Sequence, residues 1–460
     1  MIDFQPVEVK DRPIIQPYLV KNSETCYRTF VDMYCWQDYY HFSWTIIEDW
    51  LVLRMRVNGE RRAAYMVMSK EDHPRYSSVI PIIEEDAAAQ GLPLCLMSLN
   101  EKESQDLANE YPGTFIFDNN RDFADYIYSA EDLRTLKGRK YAQKRNHVNK
   151  FKSLYSYRFE PLTRQIIPEC LELAEKWEIH HDNSDTARSE LAVIQKSFRY
   201  FEEFELTGGA LYVDDRLIAF TYGSELNDHT FCTHVEKADI HYEGAYQMIN
   251  YLFAQHIPEK YTLINREEDM GLPGLRKSKM SYNPVKLAYK TAAIKLTQEM
   301  RDIVKVWHRC FGDNDNSVQI FLSRYYFSHC SMTEKVDDQV VSMVFMIPCE
   351  TELGLGAYLY GIATLPEYRH RGISTRLIRT MLERCRENGA QFSFLIPEEL
   401  DLIPYYTRIG YQISNTQANF HCDMDLGTGD KTKDRILVLP LGDQFRMEDL
   451  EETLDCFPML

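Results

Sequence analysis

The chain has 460 residues, of which 44% are apolar and 13% aromatic, and its formal net charge is −18. A chain of this length is too long for one hydrophobic core, so two or three domains are expected. The negative charge is shared about evenly between the two halves of the sequence. This distribution argues against nucleic-acid binding through overall charge.

The cysteine pattern and the first residues indicate where the protein works. Eleven cysteines are spread from Cys26 to Cys456 without a CxxC pair or a cysteine and histidine cluster at zinc spacing, which predicts reduced thiols and no bound metal. The opening MIDFQPVEVKDRP is unlike a signal peptide, and no run of about 18 apolar residues is found. We therefore expect a cytoplasmic protein without a transmembrane segment.

Residues 1–130 alternate short helical and strand-like segments, which predicts a first α/β subdomain. Helices are predicted for PIIQPYLVKN, FVDMYCWQDYY, PIIEEDAAAQG and EKESQDLANEY. Strands are predicted for DWLVLRMRV, RAAYMVM, LCLMSL and TFIFD.

Residues 131–154 are predicted to form a basic connecting helix. The block from Leu133 to Phe159, which overlaps most of it, has nine lysines and arginines and no acidic residue. Two interpretations are open. The helix is a solvated connector whose charges face water, or it is a local anion site for a phosphate, a lipid headgroup or the end of an RNA.

Residues 155–293 repeat the α/β pattern of the first subdomain. Two helices precede three strand-like runs, with a hairpin-type turn at Asp214–Asp215. A helix, GAYQMINYLFAQHI, and a strand, YTLIN, follow. The next stretch carries acidic and then basic side chains that either pair with each other or bind an anionic substrate and its leaving group: Glu267, Glu268, Asp269, Arg276, Lys277 and Lys279.

Residues 296–460 are predicted to form a further domain. Two helices precede a hairpin that turns at Asp337–Asp338, and the strand GAYLYGIAT follows. The last stretch, from DRILVLPLG onward, is predicted to be a strand and a short acidic helix.

The segment LPEYRHRGISTRLI, residues 365–378, joins the strand GAYLYGIAT to an apolar-faced helix. The apolar positions of this helix require it to begin near Gly372: Ile373, Leu377, Ile378, Met381, Leu382 and Cys385. Its first turn has free backbone N–H groups, and Gly372 has no side chain to block an anion. Arg369 and Arg371 precede that turn, where guanidinium groups pair well with phosphate oxygens. The segment is therefore a candidate phosphate cradle.

The string Arg369-His370-Arg371-Gly372-Ile373-Ser374 resembles the Q/R-x-x-G-x-G/A signature of the GNAT acyltransferases, with the small Ser374 in place of Gly or Ala. About 30 residues later, PYYTRIGYQ resembles the second GNAT signature, a short helix that carries a tyrosine. The resemblance covers about residues 296–425.

The GNAT resemblance implies acetyl-CoA as co-substrate and a role for each matching residue. The splayed strand Gly361-Ile362-Ala363 offers backbone groups to the pantetheine arm, and Tyr406 protonates the departing thiolate. No position matches a fixed motif for the general base. The pyrophosphate is surrounded by Arg369, Arg371, Gly372, Ser374 and Thr375.

Residues 1–293 resemble the soluble family related to the C-terminal domain of phosphatidylglycerol lysyltransferases. The resemblance rests on TFVDMYCWQDYY, LKGRKYAQKRNHVNKF and INREEDMGLPGLRKSKMSYNP. That family has two tandem GNAT-like folds joined by a long helix, and its relatives use aminoacyl-tRNA as donor. The second fold here carries no R-x-x-G-x-G/A loop. The anion site expected in this module consists of Lys144, Arg145, Arg276, Lys277 and Lys279.

Together these observations predict an α/β protein of three GNAT-like units, with mixed, mainly antiparallel sheets flanked by helices. The predicted function is that of a bacterial N-acyltransferase that uses acetyl-CoA and acts on a small-molecule or peptide amine. Two alternatives concern the N-terminal module. It transfers an aminoacyl group from tRNA to a lipid or peptide, with an anionic lipid headgroup as a possible ligand, or it binds substrate without catalysis.

Overall fold

The computed structural model of the chain describes residues 2–21, 23–56, 63–72, 74–180, 185–326, 329–422, 424, 426–427 and 435–459. Two compact units are present. The first combines Met1–Pro112 with Asn119–Ala293, and the second combines Gly113–Asp118 with Ile294–Leu460. Among the described residues, no helix is both long enough and apolar enough to cross a lipid bilayer.

Residues 1–295 form short helices and strands in alternation. The helices are α1 (Arg12–Val20), α2 (Phe30–Cys35), α3 (Gln37–Tyr40), α4 (Ile80–Ala89), α5 (Glu101–Glu110), α6 (Ala130–Thr135), α7 (Ala142–Leu154), α8 (Ile167–His180), α9 (Asp185–Arg199), α10 (Ala245–His256) and α11 (Pro273–Met280). The strands are β1 (Gln5–Pro6), β2 (Ser43–Ile47), β3 (Trp50–Met55), β4 (Ala63–Ser69), β5 (Leu94–Leu99), β6 (Phe115–Asp118), β7 (Asp125–Ser129), β8 (Tyr157–Pro161), β9 (Thr207–Val213), β10 (Arg216–Glu225), β11 (Thr230–Ala238), β12 (Leu263–Asn265), β13 (Lys286–Ala288) and β14 (Thr291–Lys295).

Residues 296–460 begin with two helices and continue mainly as strands. The helices are α12 (Gln298–Phe311), α13 (Asp315–Tyr325), α14 (Ile373–Glu387) and α15 (Ile403–Ile409). The strands are β15 (Ser331–Val336), β16 (Gln339–Thr351), β17 (Gly354–Thr364), β18 (Phe392–Leu395), β19 (Gln412–Phe420), β20 (Arg435–Pro440) and β21 (Thr453–Pro458).

The described strands form three sheets of seven strands each. In the first sheet, five strands lie in the order β1-β2-β3-β4-β5. The second sheet has the order β13-β7-β12-β11-β10-β9-β8, and the third has the order β15-β16-β17-β18-β20-β19-β21 with a further pairing of β16 with β21. Most pairings are antiparallel, which confirms the predicted fold class.

One motif recurs in all three sheets. A strand leads into a helix, and the helix returns the chain to a parallel neighbouring strand: β4-α4-β5, β11-α10-β12 and β17-α14-β18. Two parallel neighbouring strands need such a crossover, because a tight turn reverses the chain direction and can join only antiparallel strands. This recurrence confirms the prediction of three GNAT-like units.

Two aspartate pairs form the tight turns that the sequence predicts. Asp214–Asp215 joins β9 to β10 with φ values of 47° and 60°, and Asp337–Asp338 joins β15 to β16 with φ values of 50° and 61°. Two successive residues with positive φ match the twist of antiparallel strands, and aspartate tolerates this conformation better than most residues. Both hairpin predictions are confirmed.

The basic connecting segment is not one helix, contrary to the prediction for residues 131–154. Helix α6 ends where Leu136 adopts a φ of 49°, and Gly138, at a φ of 89°, separates it from α7. The guanidinium group of Arg145 donates hydrogen bonds to the carbonyl oxygens of both Leu136 and Gly138. The break is therefore held by a side chain of the segment itself.

The end of the chain also differs from the prediction of a strand followed by a short acidic helix. The strand is β20, but the acidic residues form only a single 3₁₀ turn, Met447–Asp449, and a further strand, β21, follows. Strand β21 buries Leu454 and Cys456, two residues apart, and pairs in parallel with β19. An apolar side chain at every second position favours a strand over a helix.

The apolar face predicted for α14 is confirmed residue by residue. Its buried side chains are Ile373, Leu377, Ile378, Met381, Leu382 and Cys385. They pack in one core with residues from β16, β17 and β18, including Val344, Leu359 and Leu395. Each large apolar side chain buried in this way contributes about 1.5–3 kcal/mol, so the position of α14 on the sheet is strongly determined.

Candidate functional site

The N-terminus of α14 is open to solvent. Gly372, at a φ of 74°, caps the helix, and a Cβ atom built on it would meet no atom within 4 Å. The amide of Arg376 donates to the carbonyl oxygen of Gly372 at 3.1 Å, so the amides of residues 373–375 precede the first hydrogen bond within the helix. Such amides, at the positive end of the helix dipole, form a general anion-binding arrangement.

Both predicted arginines lie at this opening and help to hold its loop. Arg369 Nε donates to the carbonyl oxygen of Thr364 at 3.1 Å, and Arg371 Nη2 donates to that of Glu367 at 3.0 Å. The Glu367 carboxylate is in turn held by Arg309, at 2.9 and 3.2 Å. Both predicted guanidinium groups are exposed, and each has five N–H donors, so donors are left over for an anion.

Strand β17 separates from its parallel neighbour before it reaches this loop. Its pairing with β18 covers only Gly356 to Tyr358. On the other side, a β-bulge against β16 shifts the register, and Gly361 there has a φ of 58°. A Cβ atom on Gly361 would lie 2.8 Å from the Trp307 ring. Only glycine fits this position, and the edge formed by Gly361, Ile362 and Ala363 extends beyond the pairing with β18.

The two neighbouring tyrosines of α15 have different surroundings. Tyr406 is 7% exposed and packs in the core under the sheet, where burial raises its pKa above the usual value for a phenol. The Tyr405 hydroxyl donates to Ser374 Oγ at 3.0 Å and lies 3.2 Å from Thr375 Oγ1. The structure therefore brings Tyr405, Ser374 and Thr375 together in the first turn of α14. The sequence pattern did not indicate this contact of Tyr405.

The equivalent helix start in the second sheet is closed. Gly244 caps α10 at a φ of 86°, but a Cβ atom there would lie 3.0 Å from the carbonyl oxygen of His147 and 3.4 Å from Phe151 Cβ, both in α7. Helix α7 thus fills the space beside Gly244, whereas the equivalent space beside Gly372 is open. This packing gives a physical reason for expecting no coenzyme A loop in that sheet.

In the first unit, a cationic group surrounds the ring of Tyr282. Lys144 Nζ lies 4.0 Å from the ring centroid and the Arg266 guanidinium 4.9 Å from it. Arg266 pairs with Glu236 at 3.0 Å, but its Nη1 is buried without a hydrogen-bond partner among the described residues. Lys144 is 7% exposed, and burial, with a smaller effect of Arg266, lowers its pKa to about 8. Two buried cations with one carboxylate between them favour an anionic ligand.

The structure does not gather the other predicted anion-binding residues around Lys144. Arg276 pairs with Asp269 at 2.9 Å and with Asp122. Lys279 donates to the carbonyl oxygen of Arg266 at 2.7 Å, and Lys277 is exposed on α11. Arg145 holds the break before α7, as described above. The predicted anion site stays a prediction, with Lys144 as the member that lies beside a further unpaired donor.

A cluster of buried ionisable side chains lies around Lys290. Lys290 Nζ contacts Asp125 Oδ1 at 2.5 Å, Glu268 Oε2 at 2.6 Å and Cys26 Sγ at 3.3 Å. Burial alone would raise the pKa of Glu268, but Lys290 outweighs burial and holds this pKa at about 2. Lys290 thus compensates both carboxylates.

A second group of buried ionisable side chains lies beside the first, and it contains a histidine. His234 Nδ1 is 3.2 Å from Asp32 Oδ1 and 3.0 Å from Glu267 Oε1. Burial and the Asp32 carboxylate together raise the pKa of Glu267 to about 8. Two sets of side chains here have the composition and spacing to hold a metal ion: Cys232, His234 and Glu267, and Cys26, Asp32 and Glu267.

The sequence pattern missed most of this first-unit site. Asp32, His234, Arg266, Tyr282 and Lys290 were not among the predicted site residues, because no short spacing links them. One weak signal was present: Cys232 and His234 are two residues apart and therefore point to the same face of β11.

Comparison with known proteins assigns the class of protein that this fold and these sites define. The family model for the phosphatidylglycerol lysyltransferase C-terminal domain matches residues 21–293, and the model for the GNAT acetyltransferase domain matches residues 293–414. Both are families of acyl-group transferases. Because the first match covers more than half of the chain, the protein belongs to the phosphatidylglycerol lysyltransferase C-terminal domain family, and the resemblances predicted from sequence are confirmed.

Individual relatives add little about activity. A conserved protein of unknown function from Bacteroides thetaiotaomicron is 38% identical, with 64% of this chain and 100% of that chain covered and a TM-score of 0.61. The structure of L-PGS from Bacillus licheniformis is 14% identical, with 64% and 94% covered and a TM-score of 0.45. An uncharacterised protein of Mycoplasmoides gallisepticum is 29% identical over 164 residues, 35% of this chain, and the chain spans about half, 52%, of that relative's length.

Replacement of Lys144 tests the electrostatic environment around Tyr282. The pKa of Lys144 is lowered in the folded state to about 8. Below that pH the side chain is charged, and the full cost of burying this charge destabilises the fold. This cost falls as the pH rises from there toward the ordinary lysine pKa. Lys144→Met is therefore expected to raise the free energy of unfolding at pH 7 by about 1–3 kcal/mol, with the gain shrinking between about pH 8 and 10.5. Urea denaturation over this pH range measures the free energy of unfolding of both proteins.

Lys152→Met is the matched control, since Lys152 lies on the same helix and is exposed. It should change the free energy of unfolding by less than about 0.5 kcal/mol at every pH. A gain for Lys144→Met that does not depend on pH would contradict the explanation through charge burial.

Proposed function

We propose that the second unit is an acetyl-CoA-dependent N-acyltransferase that acts on a small-molecule or peptide amine. The observation that carries this proposal is the open N-terminus of α14 at Gly372, directly after a strand that has left its parallel partner. A helix start without a side chain in its way suits the pyrophosphate of coenzyme A, and the free edge of β17 suits its pantetheine arm. The GNAT family match over residues 293–414 supports this reading.

Each residue has a role in this proposal. The amides that follow Gly372, together with Arg369 and Arg371, bind the pyrophosphate, and Ser374 and Thr375 line the first turn. Backbone groups of Gly361, Ile362 and Ala363 align the thioester so that an acceptor amine attacks its carbonyl carbon directly. The new C–N bond forms as the C–S bond breaks, and the leaving thiolate takes a proton from Tyr406. The attacking amine releases one proton to water, and Tyr406 regains its proton from water.

The chemistry of Tyr406 fits that role. A phenol ordinarily titrates near pH 10, and burial raises the pKa of Tyr406 further, so its hydroxyl holds the proton throughout the neutral range. Sulfur that gains negative charge next to this hydroxyl becomes a strong acceptor, and general acids of this kind contribute about 10²–10⁴-fold to a rate.

Calorimetry with coenzyme A tests the cradle. The wild-type chain is expected to bind, and Gly372→Asp is expected to weaken binding at least about 100-fold, since it places a carboxylate where the pyrophosphate would lie. Arg371→Ala should weaken binding about 10-fold through loss of a charge-assisted hydrogen bond.

Gly389→Asp provides a matched control at the other end of the same helix. Gly389 also has a positive φ, of 84°, and a Cβ atom on it would also meet nothing within 4 Å. The two aspartates therefore impose the same backbone strain, but only one lies at the proposed cradle. Equal binding by both variants, or no binding by the wild-type chain, would overturn the proposal.

The two tyrosines are expected to affect different kinetic constants. With any amine that the protein acetylates, Tyr406→Phe should lower kcat by about 10²–10⁴-fold while KM for acetyl-CoA changes little. Tyr405→Phe should instead raise KM, because its hydroxyl contacts the turn that would hold the pyrophosphate. Thiol release under steady-state conditions measures both constants. A kcat unaffected by Tyr406→Phe would remove Tyr406 as the acid.

A second candidate function concerns the first unit. We propose that this unit binds the phosphate of aminoacyl-tRNA or of an anionic lipid headgroup and passes on an aminoacyl group. The carrying observation is the pair Lys144 and Arg266 around Tyr282, with Arg266 Nη1 buried and unpaired. The family match over residues 21–293 supports this choice of ligand. Substrate binding without catalysis is the narrower form of the same proposal.

Filter binding with aminoacylated tRNA tests this second function. Affinity should fall steeply between about 50 and 200 mM salt if several phosphates are contacted. Lys144→Met should weaken binding at least about 10-fold at low salt, whereas Lys152→Met should change it by less than about 2-fold. Binding to vesicles that contain phosphatidylglycerol tests the lipid headgroup as the ligand. If Lys144→Met changed the affinity for neither the tRNA nor the vesicles, this site would be ruled out.

A further inference from the structure

Five metal-ligating side chains meet inside the first unit, where the cysteine spacing had suggested none. Ligand atoms of Cys232, His234 and Glu267 lie within 4.8 Å of one another, and so do those of Cys26, Asp32 and Glu267. The two sets share Glu267. They come from separate parts of the fold: the turn before α2, helix α2 itself, strand β11 and the loop after β12.

Three short distances connect four of these ligand atoms. Asp32 Oδ1 to His234 Nδ1 is 3.2 Å, His234 Nδ1 to Glu267 Oε1 is 3.0 Å, and Cys232 Sγ to Glu267 Oε1 is 3.9 Å. Zinc bonds of about 2.0–2.3 Å to nitrogen, oxygen and sulfur place tetrahedral ligands about 3.3–3.7 Å apart. The three distances lie close to this range. Cys232, His234 and Glu267 form one candidate set, which Asp32 adjoins through His234.

Ser224 orients the ring of His234 through the second ring nitrogen. His234 Nε2 lies 2.8 Å from Ser224 Oγ, so a proton on Nε2 can be donated to Ser224 while the lone pair of Nδ1 faces the carboxylates of Asp32 and Glu267. A cation between Nδ1 and the two carboxylates would attract all three groups, as a proton on Nδ1 does without it. Hydrogen bonding of the remote ring nitrogen is the usual support for a metal-binding histidine.

Asp32 provides an independent indication of a missing partner. The residue is 8% exposed, and its second oxygen, Oδ2, is buried without a hydrogen-bond partner among the described residues. A buried carboxylate oxygen without a donor is costly. Lys290 does not supply the compensation, since it contacts Asp125 and Glu268.

We propose that Asp32, Cys232, His234 and Glu267 bind one divalent cation of borderline softness, of which zinc is the best match. This site differs from both proposed transfer sites and replaces the expectation of a metal-free chain. Thiolate and imidazole ligands favour zinc over magnesium or calcium, which prefer oxygen ligands alone. The bound ion would tie α2 to β11 and to the loop after β12.

The ion has a route to the site. The side chains of His234 and Asp32 are 4% and 11% exposed, but that of Glu267 is 24% exposed. Glu267 thus lies at the solvent edge of the group, where it can meet the hydrated cation first.

Elemental analysis and thermal denaturation test the proposal on the full-length chain. Protein purified without chelator should contain about one zinc per chain. After chelator dialysis the melting temperature should fall, and added Zn²⁺ should restore it, since a ligand that binds only the folded state stabilises it. Mg²⁺ at the same concentration should not. The absence of zinc after purification, together with no thermal shift on adding Zn²⁺, would overturn the proposal.

Two conservative variants and one control assign the ligands. Cys232→Ser and Glu267→Gln should each weaken Zn²⁺ binding at least about 100-fold. Cys170→Ser, which alters an equally buried cysteine on α8, should leave the affinity for Zn²⁺ unchanged. Equal binding by all three variants would show that the metal binds elsewhere and would overturn the assignment.

Cobalt substitution keeps the proposal testable if a variant fails to fold. Co²⁺ added to the chelator-treated wild-type chain should give the intense visible bands of a four-coordinate site and a thiolate-to-cobalt charge-transfer band. Weak octahedral bands without charge transfer would overturn the proposal, because they would show that neither the geometry nor Cys232 is involved.

Discussion

The burial of one helix face determines where the second unit presents its candidate site. Six apolar side chains of α14 pack against the sheet, and this packing sets the point at which the helix begins. The helix start falls at the end of β17, where that strand has already separated from β18. The loop between them then needs little more than Gly372 and two arginines to become an anion cradle. The site is thus a consequence of core packing.

The first unit is organised by a different constraint, the compensation of buried charge. The single ammonium group of Lys290 contacts both Asp125 and Glu268 within the chain. Two neighbouring groups remain incompletely compensated: Lys144 and Arg266 around Tyr282 share one carboxylate, that of Glu236, and Asp32 beside His234 keeps Oδ2 without a hydrogen-bond partner among the described residues. Because unpaired buried charges and polar atoms are costly, we propose a ligand at each group.

Local rules predicted much of the fold. The aspartate pairs at 214–215 and 337–338 form the expected hairpin turns, and the spacing of apolar residues located α14 correctly. Other elements escaped because tertiary pairing decides them. Strand β21 directly follows an acidic stretch that is typical of a short helix, yet pairing with β19 makes it a strand. The break between α6 and α7 depends on Arg145, whose hydrogen bonds span seven to nine residues.

By itself, the sequence determined the family, the class of fold and the Gly372 loop, because each is encoded by residues close together in the chain. It also determined that Lys144 lies in an unusually basic segment. Only the tertiary structure decided that Lys144 is buried beside Tyr282 and Arg266, that Tyr405 rather than Tyr406 contacts Ser374, and that α7 closes the helix start at Gly244. The group of Asp32, Cys232, His234 and Glu267 could not be predicted, since its members are separated by up to 235 positions and meet only when helix, strand and loop pack together.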